Sequence, residues 1–391
     1  MWELRNLEVV DVYKKILFVT NDFGPRTGGI ETFVIGLIER MKGHEVIVFT
    51  SAQGDTEEYD QKWFDHFGVR VIRDRSEILL PSWRVTKKAK EIVKLQSTDV
   101  LIFGAAAPLA LMASTLRKSG VKKIIALTHG HEVWWSKVFP FSIAMQRIGN
   151  SVDHLTYLGE FTRKAISGAI SQKSTSAMVR IAPGIDTSHF IPQPDAIQKR
   201  VTLGLEDKKI IISVGRLVHR KGQDKLIEAM PIILRRIPNA HLLIVGEGPY
   251  RPNLEKLVKN LSLSEHITFV GRIMYEKLPS FLSAADIFAM PSRSRFFGLE
   301  VEGLGIVYLE ASACGIPVVA GNSGGAPDAV LEGVTGMCVD GTDVDQVAQA
   351  IIDICADAKR ASNMGSAGRN WIVDQWRWEI WSSEFNALLV D

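Results

Sequence analysis

Short apolar runs alternate with longer amphipathic ones along the whole chain. In the first half the runs are KKILFVTN (14–21), HEVIVFT (44–50), TDVLIFG (98–104), KKIIALTH (122–129) and DHLTYLG (153–159). They are brief, mostly apolar and rich in β-branched residues, the pattern of buried strands. Between several of them apolar positions recur at helical spacing, as in GIETFVIGLIERMKG (29–43). Strands alternating with helices predict parallel strands joined by crossover helices.

The pattern restarts after IPQPDAIQKRVTLGLEDKK (191–209), a polar segment with two prolines that reads as a linker. KIIISVG (209–215), AHLLIVGEG (240–248), HITFVG (266–271), DIFAMPS (286–292) and IPVVAG (316–321) form the second set of strands. The prediction is an α/β protein with two doubly wound domains, residues 1–192 and 193–370, facing a cleft. A tryptophan-rich helix, WIVDQWRWEIWSSEFNALL (371–389), follows. In such sheets ligands bind beyond the carboxyl ends of the strands, so candidate chemistry is sought there.

Composition adds the class. A chain of 391 residues with 46% hydrophobic and 23% charged residues is a folded globular protein with material for two cores. Cys314, Cys338 and Cys355 are odd in number, far apart and set among apolar residues, which predicts reduced core thiols and a cytoplasmic setting. The start, MWELRNLEVVDVYKK, carries acidic residues where a signal peptide would be basic. No apolar run reaches the roughly 18 residues of a membrane span, so neither secretion nor a spanning helix is expected. The net charge of +2 is uneven: residues 81–150 hold 11 basic and 3 acidic side chains. Solvated faces and a surface for an anionic partner both fit that excess.

At the strand ends, NDFGPRTGGIE (21–31) leads Gly28 and Gly29 straight into a helix. Glycine lets backbone amides approach a ligand, and a helix N-terminus suits phosphate; a tight turn is the competing reading. Neither G-x-G-x-x-G nor G-x-x-x-x-G-K-[ST] occurs there, which removes the main support for a dinucleotide dehydrogenase or a P-loop ATPase. SVGRLVHRKGQD (213–224) places Arg216 at a strand end and Lys221 five residues on, two cations able to neutralise a diphosphate or simply to be solvated. His129 and His131, in LTHGHEVWW, follow a strand; His129, at its end, is the better candidate to orient a hydroxyl. Trp134, Trp135, Phe139 and Lys137 nearby read as core packing or as an acceptor or lipid contact. Asp343 and Asp345 resemble a metal-binding D-x-D but precede an amphipathic helix, which predicts capping; no metal is expected. EGLGIVYLE (302–310) sets Glu302 and Glu310 at either end of a glycine-rich helix entry.

With GGIE (28–31), VGRLVHRKG (214–222), VGEGP (245–249) and NSGGAPDAV (322–330), the E-x7-E pair resembles the retaining glycosyltransferases of the two-Rossmann-domain GT-B type, in order and over nearly the whole chain. The segment PSRSRFFGLEVEGLGIVYLEASACGIPVVAGNSGGAP (291–327) puts nine extra residues, RSRFFGLEV, ahead of E-G-L-G. In this it is similar to the actinobacterial mannosyltransferases that extend phosphatidylinositol mannosides from GDP-mannose. The resemblance implies that Arg216 and Lys221 bind the donor diphosphate, Glu310 the ribose hydroxyls and Glu302 the transferred sugar. Ile273 would flank the base, His129 would sit by the reacting sugar, and Gly28 and Gly29 would close on the phosphates. Gly303, Leu304 and Gly305 would line the donor site. It also implies a metal-independent, front-face reaction without a cofactor, and a last helix that returns to the first domain.

The expected acceptor is an anionic inositol glycolipid at the inner face of the cell membrane, reached through Arg84, Lys87, Lys88 and Lys90 and through Arg117, Lys118, Lys122 and Lys123; no nucleic-acid partner is expected. The rival readings are a same-fold transferase with another nucleotide sugar and a soluble acceptor, a nucleotide-sugar epimerase, and a non-catalytic binding protein.

Overall fold

A computed structural model describes residues 13–26 and 28–390. Most of the acidic start of the chain lies outside the described residues. The first sheet holds β1 (Lys15–Val19), β2 (Glu45–Thr50), β3 (Arg70–Arg73), β4 (Val100–Phe103), β5 (Lys123–Ala126), β6 (His154–Tyr157) and β7 (Met178–Arg180), in the order β3-β2-β1-β4-β5-β6-β7. The second holds β8 (Lys209–Val214), β9 (Ala240–Val245), β10 (Ile267–Gly271), β11 (Ile287–Met290), β12 (Val318–Gly321) and β13 (Gly336–Val339), ordered β10-β9-β8-β11-β12-β13. All these pairings are parallel.

Helices cover both faces, which is why the central strands are apolar throughout rather than alternating. In β1, Ile16 and Phe18 join one core while Leu17 and Val19 join another, and all four are buried. Three strands were not foreseen, and each is an edge or next to nothing on one side. β3 is RVIR with its first residue exposed, β7 has three residues, and β13 opens on glycine. Edge strands pair along one side only, are more open to water and carry a weaker apolar signal.

Two segments differ in detail from their reading. The segment 191–209, read as a linker, carries a helix of its own, Ala196–Leu203, ended by Gly204 at φ +67° and held by Arg200 to Asp286 at 3.0 Å. The tryptophan-rich end is not one helix. A helix over Ala358–Gln375 stops at Trp376, and a second runs over Trp378–Val390. The break is fixed from outside, because the Trp376 carbonyl accepts the Ile185 amide at 2.7 Å. Trp378 then stacks near Phe33 and under the Arg40 guanidinium, 4.6 Å from its ring, with Gly36 leaving it room. Lys123 Nζ donates to the Leu388 carbonyl at 3.0 Å, so this last helix lies against the first domain. Asp343 does cap its helix, accepting from the Gln346 amide.

Candidate active site

Strand order reverses beside β1 in the first sheet and beside β8 in the second, and these switch points open the crevices of the two sheets. Gly28 and Gly29 follow β1, His129 follows β5, Arg216 follows β8, and Glu302 follows β11. The topology therefore collects at strand ends the residues that the sequence separates by nearly 300 positions.

Gly28 has an extended backbone, φ −169°, and Gly29 begins the helix Gly29–Ile38. Neither is in the left-handed region, and a Cβ on Gly29 would meet nothing within 4 Å. Turn geometry thus does not demand these glycines. What the missing side chains provide is bare amide backbone at a helix start.

His129 is buried, with its amide donating to Glu132 Oε2 at 2.9 Å and its Nε2 2.5 Å from the Gly104 carbonyl. A carbonyl only accepts, so Nε2 carries the proton and Nδ1 keeps the lone pair. Burial holds this imidazole below the usual histidine pKa, so the ring is neutral at pH 7. The chain then passes through Gly130, φ +102°, to His131, whose ring stacks at 6.3 Å.

Here the two domains touch. A Cβ on Gly303 would lie 2.5 Å from the His129 carbonyl oxygen, and one on Gly130 would lie 2.8 Å from Gly303 Cα. Only a glycine pair permits this approach, which brings the backbone that follows Glu302 against the His129 carbonyl. Behind this loop, Gly325 donates its amide to the Glu302 carbonyl at 2.9 Å, and a Cβ on Gly324 would fall 2.1 Å from that same oxygen. The glycines of NSGGAP therefore back the Glu302 loop. Those of VGEGP do the same for the Arg216 loop: a Cβ on Gly246 or Gly248 would strike the carbonyls of Gly215 or Leu217.

Glu302 is buried and Oε2 accepts from two cations, Arg220 at 2.6 Å and Lys221 at 2.8 Å. Burial alone would raise its pKa; Lys221 and Arg220 outweigh burial and hold it below the ordinary value. Oε2 is thus committed and Oε1 makes no hydrogen bond among the described residues, which leaves an acceptor for a hydroxyl. Lys221 is buried too, and desolvation lowers its pKa despite Glu302. Arg216, in contrast, is exposed and forms no ion pair among the described residues. Arg220 was missed in the sequence; its only signal was a third cation in VGRLVHRKG.

Gly305, φ +79°, starts the helix Ile306–Ala313, and Leu304 is buried beneath it. Glu310 lies within that helix, buried and without a side-chain partner among the described residues, and desolvation raises its pKa to about 7. Ile273 is half-buried in the loop after β10, where Tyr275 is held by stacking on His189 at 4.9 Å. Two further carboxylates escaped sequence reasoning. Asp22, in the β1 loop, is raised to about 6 by burial and then by Glu31. Asp328 crosses between domains, accepting the Phe161 amide at 3.4 Å. Among the described residues no group of three or more His, Cys, Asp or Glu side chains is placed to hold a metal ion.

The nine extra residues form a hairpin. Arg293 is buried at its base, bonded to Asp224 at 2.7 and 2.9 Å, and Arg295 pairs with Glu300 through both backbone and side chain. At the tip Phe296 and Phe297 both have positive φ, 50° and 56°, a conformation that costs a bulky residue about 1–3 kcal/mol.

Residues 27–189 match Glycosyltransferase Family 4 and residues 195–371 match Glycosyl transferases group 1. A GDP-mannose-dependent alpha-(1-6)-phosphatidylinositol monomannoside mannosyltransferase of Mycolicibacterium smegmatis is 45% identical over 376 residues, 96% of this chain and 98% of that protein. The chain belongs to the group 1 glycosyltransferase family. This glycosyltransferase is also 42% identical, over 96% of its length and 98% of the other, to a GDP-mannose-dependent monoacylated alpha-(1-6)-phosphatidylinositol monomannoside mannosyltransferase of Corynebacterium glutamicum. Among solved structures, Anabaena HepE in complex with UDP superposes with a TM-score of 0.81 at 20% identity, over 96% of this chain and 99% of that one. A sucrose-phosphate synthase of Thermosynechococcus elongatus gives 0.78 at 24%, over 96% and 98%. These likenesses establish the GT-B fold of the glycosyltransferase.

Proposed function

We propose that this glycosyltransferase moves mannose from GDP-mannose to a phosphatidylinositol monomannoside. The observation that carries the reading is 45% identity, end to end, to an enzyme named for that reaction. An α-linked donor giving an α-linked product means retention of configuration. Residues 1–192 serve the acceptor and 193–370 the nucleotide sugar, while the last helix, Trp378–Val390, straps the end of the chain back onto the first part.

In this reading Arg216 and Lys221 take the diphosphate, with the amides of Gly28, Gly29 and the Ile306 helix start. Glu302 Oε1 accepts from the mannose hydroxyls, and His129 Nδ1 accepts from another. Glu310 accepts from the ribose diol, and Ile273 flanks the base. As the sugar–phosphate bond breaks, charge grows on the leaving GDP, where fixed cations and helix dipoles stabilise it without reorganising. No metal or cofactor enters the scheme. A panel of nucleotide sugars, each with and without the glycolipid, tests it. Transfer from GDP-mannose alone is expected; conversion of donor without acceptor would replace the reading with an epimerase.

The Glu310 carboxyl sets a pH dependence. Its pKa near 7 makes it neutral below that pH and a two-oxygen acceptor above it. The KM for GDP-mannose is therefore expected to rise as pH falls, approaching about tenfold per unit below the pKa. In Glu310→Gln the KM is high and flat with pH; a pH profile equal to wild type in that variant contradicts the assignment.

The first basic patch is the one proposed to meet the membrane, because exposed apolar side chains stand beside its cations. Arg84 is spent on Asp74, Arg117 on Asp153 and Lys122 on Asp99, while Lys123 reaches the last helix. These are surface ion pairs, with the Lys122 side chain still 77% exposed, so the second patch has partners and yet stays at the surface. Lys87 and Lys88 remain exposed on the helix Trp83–Gln96, beside Trp83, Leu80 and Ile78, which are 79%, 55% and 61% exposed. Cations with apolar side chains suit an anionic interface. Among the described residues no helix is long and apolar enough to cross a membrane. Trp83→Ser with Lys87→Gln and Lys88→Gln is expected to lose sedimentation with phosphatidylglycerol vesicles at low salt; unchanged sedimentation sinks this contact.

A further inference from the structure

The hairpin of residues 293–301 is anchored at its base and exposed at its tip. Phe297 is 105% exposed and Phe296 62%, and with Gly298 they form three successive left-handed residues. Large apolar side chains gain by leaving water, and non-glycine residues seldom adopt this backbone. This turn accepts both penalties. Arg295 lies over the Phe296 ring at 4.7 Å, but no ring or cation contact engages Phe297 among the described residues. A turn so built presents its rings to something outside the chain.

Its position says what. Lys137 of the first domain donates to the Gly298 carbonyl at 3.3 Å, tying the tip across the cleft. Just past Lys137, Phe139 is 78% exposed and Ile143 42%. Both domains therefore offer apolar side chains around one interdomain contact. Phe297 is also only five residues before Glu302, at most about 18 Å of extended chain. The pairing of Arg295 with Glu300 folds that length back, so the tip stays near the Glu302 loop. If the head group lies at Glu302 and His129, the tails of the same lipid leave the cleft where the phenylalanines stand.

We propose that Phe296 and Phe297, with Phe139 and Ile143, grip the acyl chains of the lipid acceptor. The proposal rests on the glycolipid reading above and specifies how that acceptor is distinguished from a soluble one. Phe297 is the residue to change, because it is fully exposed and its loss leaves no cavity.

The test compares phosphatidylinositol monomannoside in detergent micelles with its deacylated, water-soluble counterpart. In Phe297→Ser the ratio of kcat/KM for the acylated over the deacylated acceptor is expected to fall about tenfold, the scale of removing a buried aromatic contact. Phe297→Leu is expected to restore most of that ratio. An unchanged ratio, or an equal fall on both acceptors, overturns the proposal. So does lost sedimentation of Phe297→Ser with acceptor-free vesicles of phosphatidylcholine and phosphatidylglycerol, since that assigns the rings to the bilayer. A wild-type protein inert toward both acceptors overturns the function itself, a result distinct from all of these.

Discussion

Lys221→Ala is expected to lower kcat by about 10²- to 10³-fold while moving the KM for GDP-mannose far less. The ammonium is buried, fixed 2.8 Å from Glu302, and follows β8 by a loop that Gly222, φ +75°, closes against the Pro291 carbonyl. A charge held this way, out of water, interacts more strongly with charge that develops on a leaving group than with a ground state already solvated in part. Its removal should therefore appear in the chemical step. Glu310→Ala is the contrast: among the described residues the Glu310 carboxyl bonds no cation, and its loss is expected to act through donor KM. Steady-state kinetics at saturating acceptor separate the two. Wild-type kcat in Lys221→Ala removes the residue from the mechanism.

The second large effect is expected at a residue with no side chain. Gly303→Ala adds a methyl 2.5 Å from the His129 carbonyl oxygen, and because that clash is with backbone no flexible side chain can swing away to relieve it. The Gly303 backbone is not left-handed, and alanine is therefore resisted only by that contact. The cheapest relief is to part the domains at this point, which moves Glu302 away from His129. Displacements near 1 Å cost about 10²-fold in reactions that depend on orientation. We expect kcat/KM to fall by that order with both domains still folded, and thermal unfolding to shift by only a few degrees. Full activity with a lowered Tm would mean that the contact is packing alone.

The sequence made most of this architecture legible because a parallel sheet covered on both faces needs continuous apolar strands, and ten of the strands are such runs. β3, β7 and β13 were hidden because an edge relaxes that demand. The break at Trp376 was hidden for another reason: it is imposed by Ile185, nearly 200 residues away, and no local signal marks it. Of the proposed site residues, Lys221 and Glu302 were singled out from the sequence, and the structure pairs them. Arg220 was not, because a loop cation next to a lysine looks like solvated charge until the fold shows which carboxylate it meets. The close approach of Gly303 to His129 likewise exists only between domains. Nor does the sequence show that Arg117, Lys122 and Lys123 find partners in Asp153, Asp99 and the last helix while Lys122 stays exposed.

The most direct measurement is mannose transfer itself. The purified protein is incubated with mannose-labelled GDP-mannose and phosphatidylinositol monomannoside, and the lipid is extracted and analysed by mass spectrometry. The account predicts a labelled lipid heavier by one hexose, formed together with an equal amount of GDP. GDP released without a labelled lipid, or label entering that lipid only from another nucleotide sugar, would contradict it.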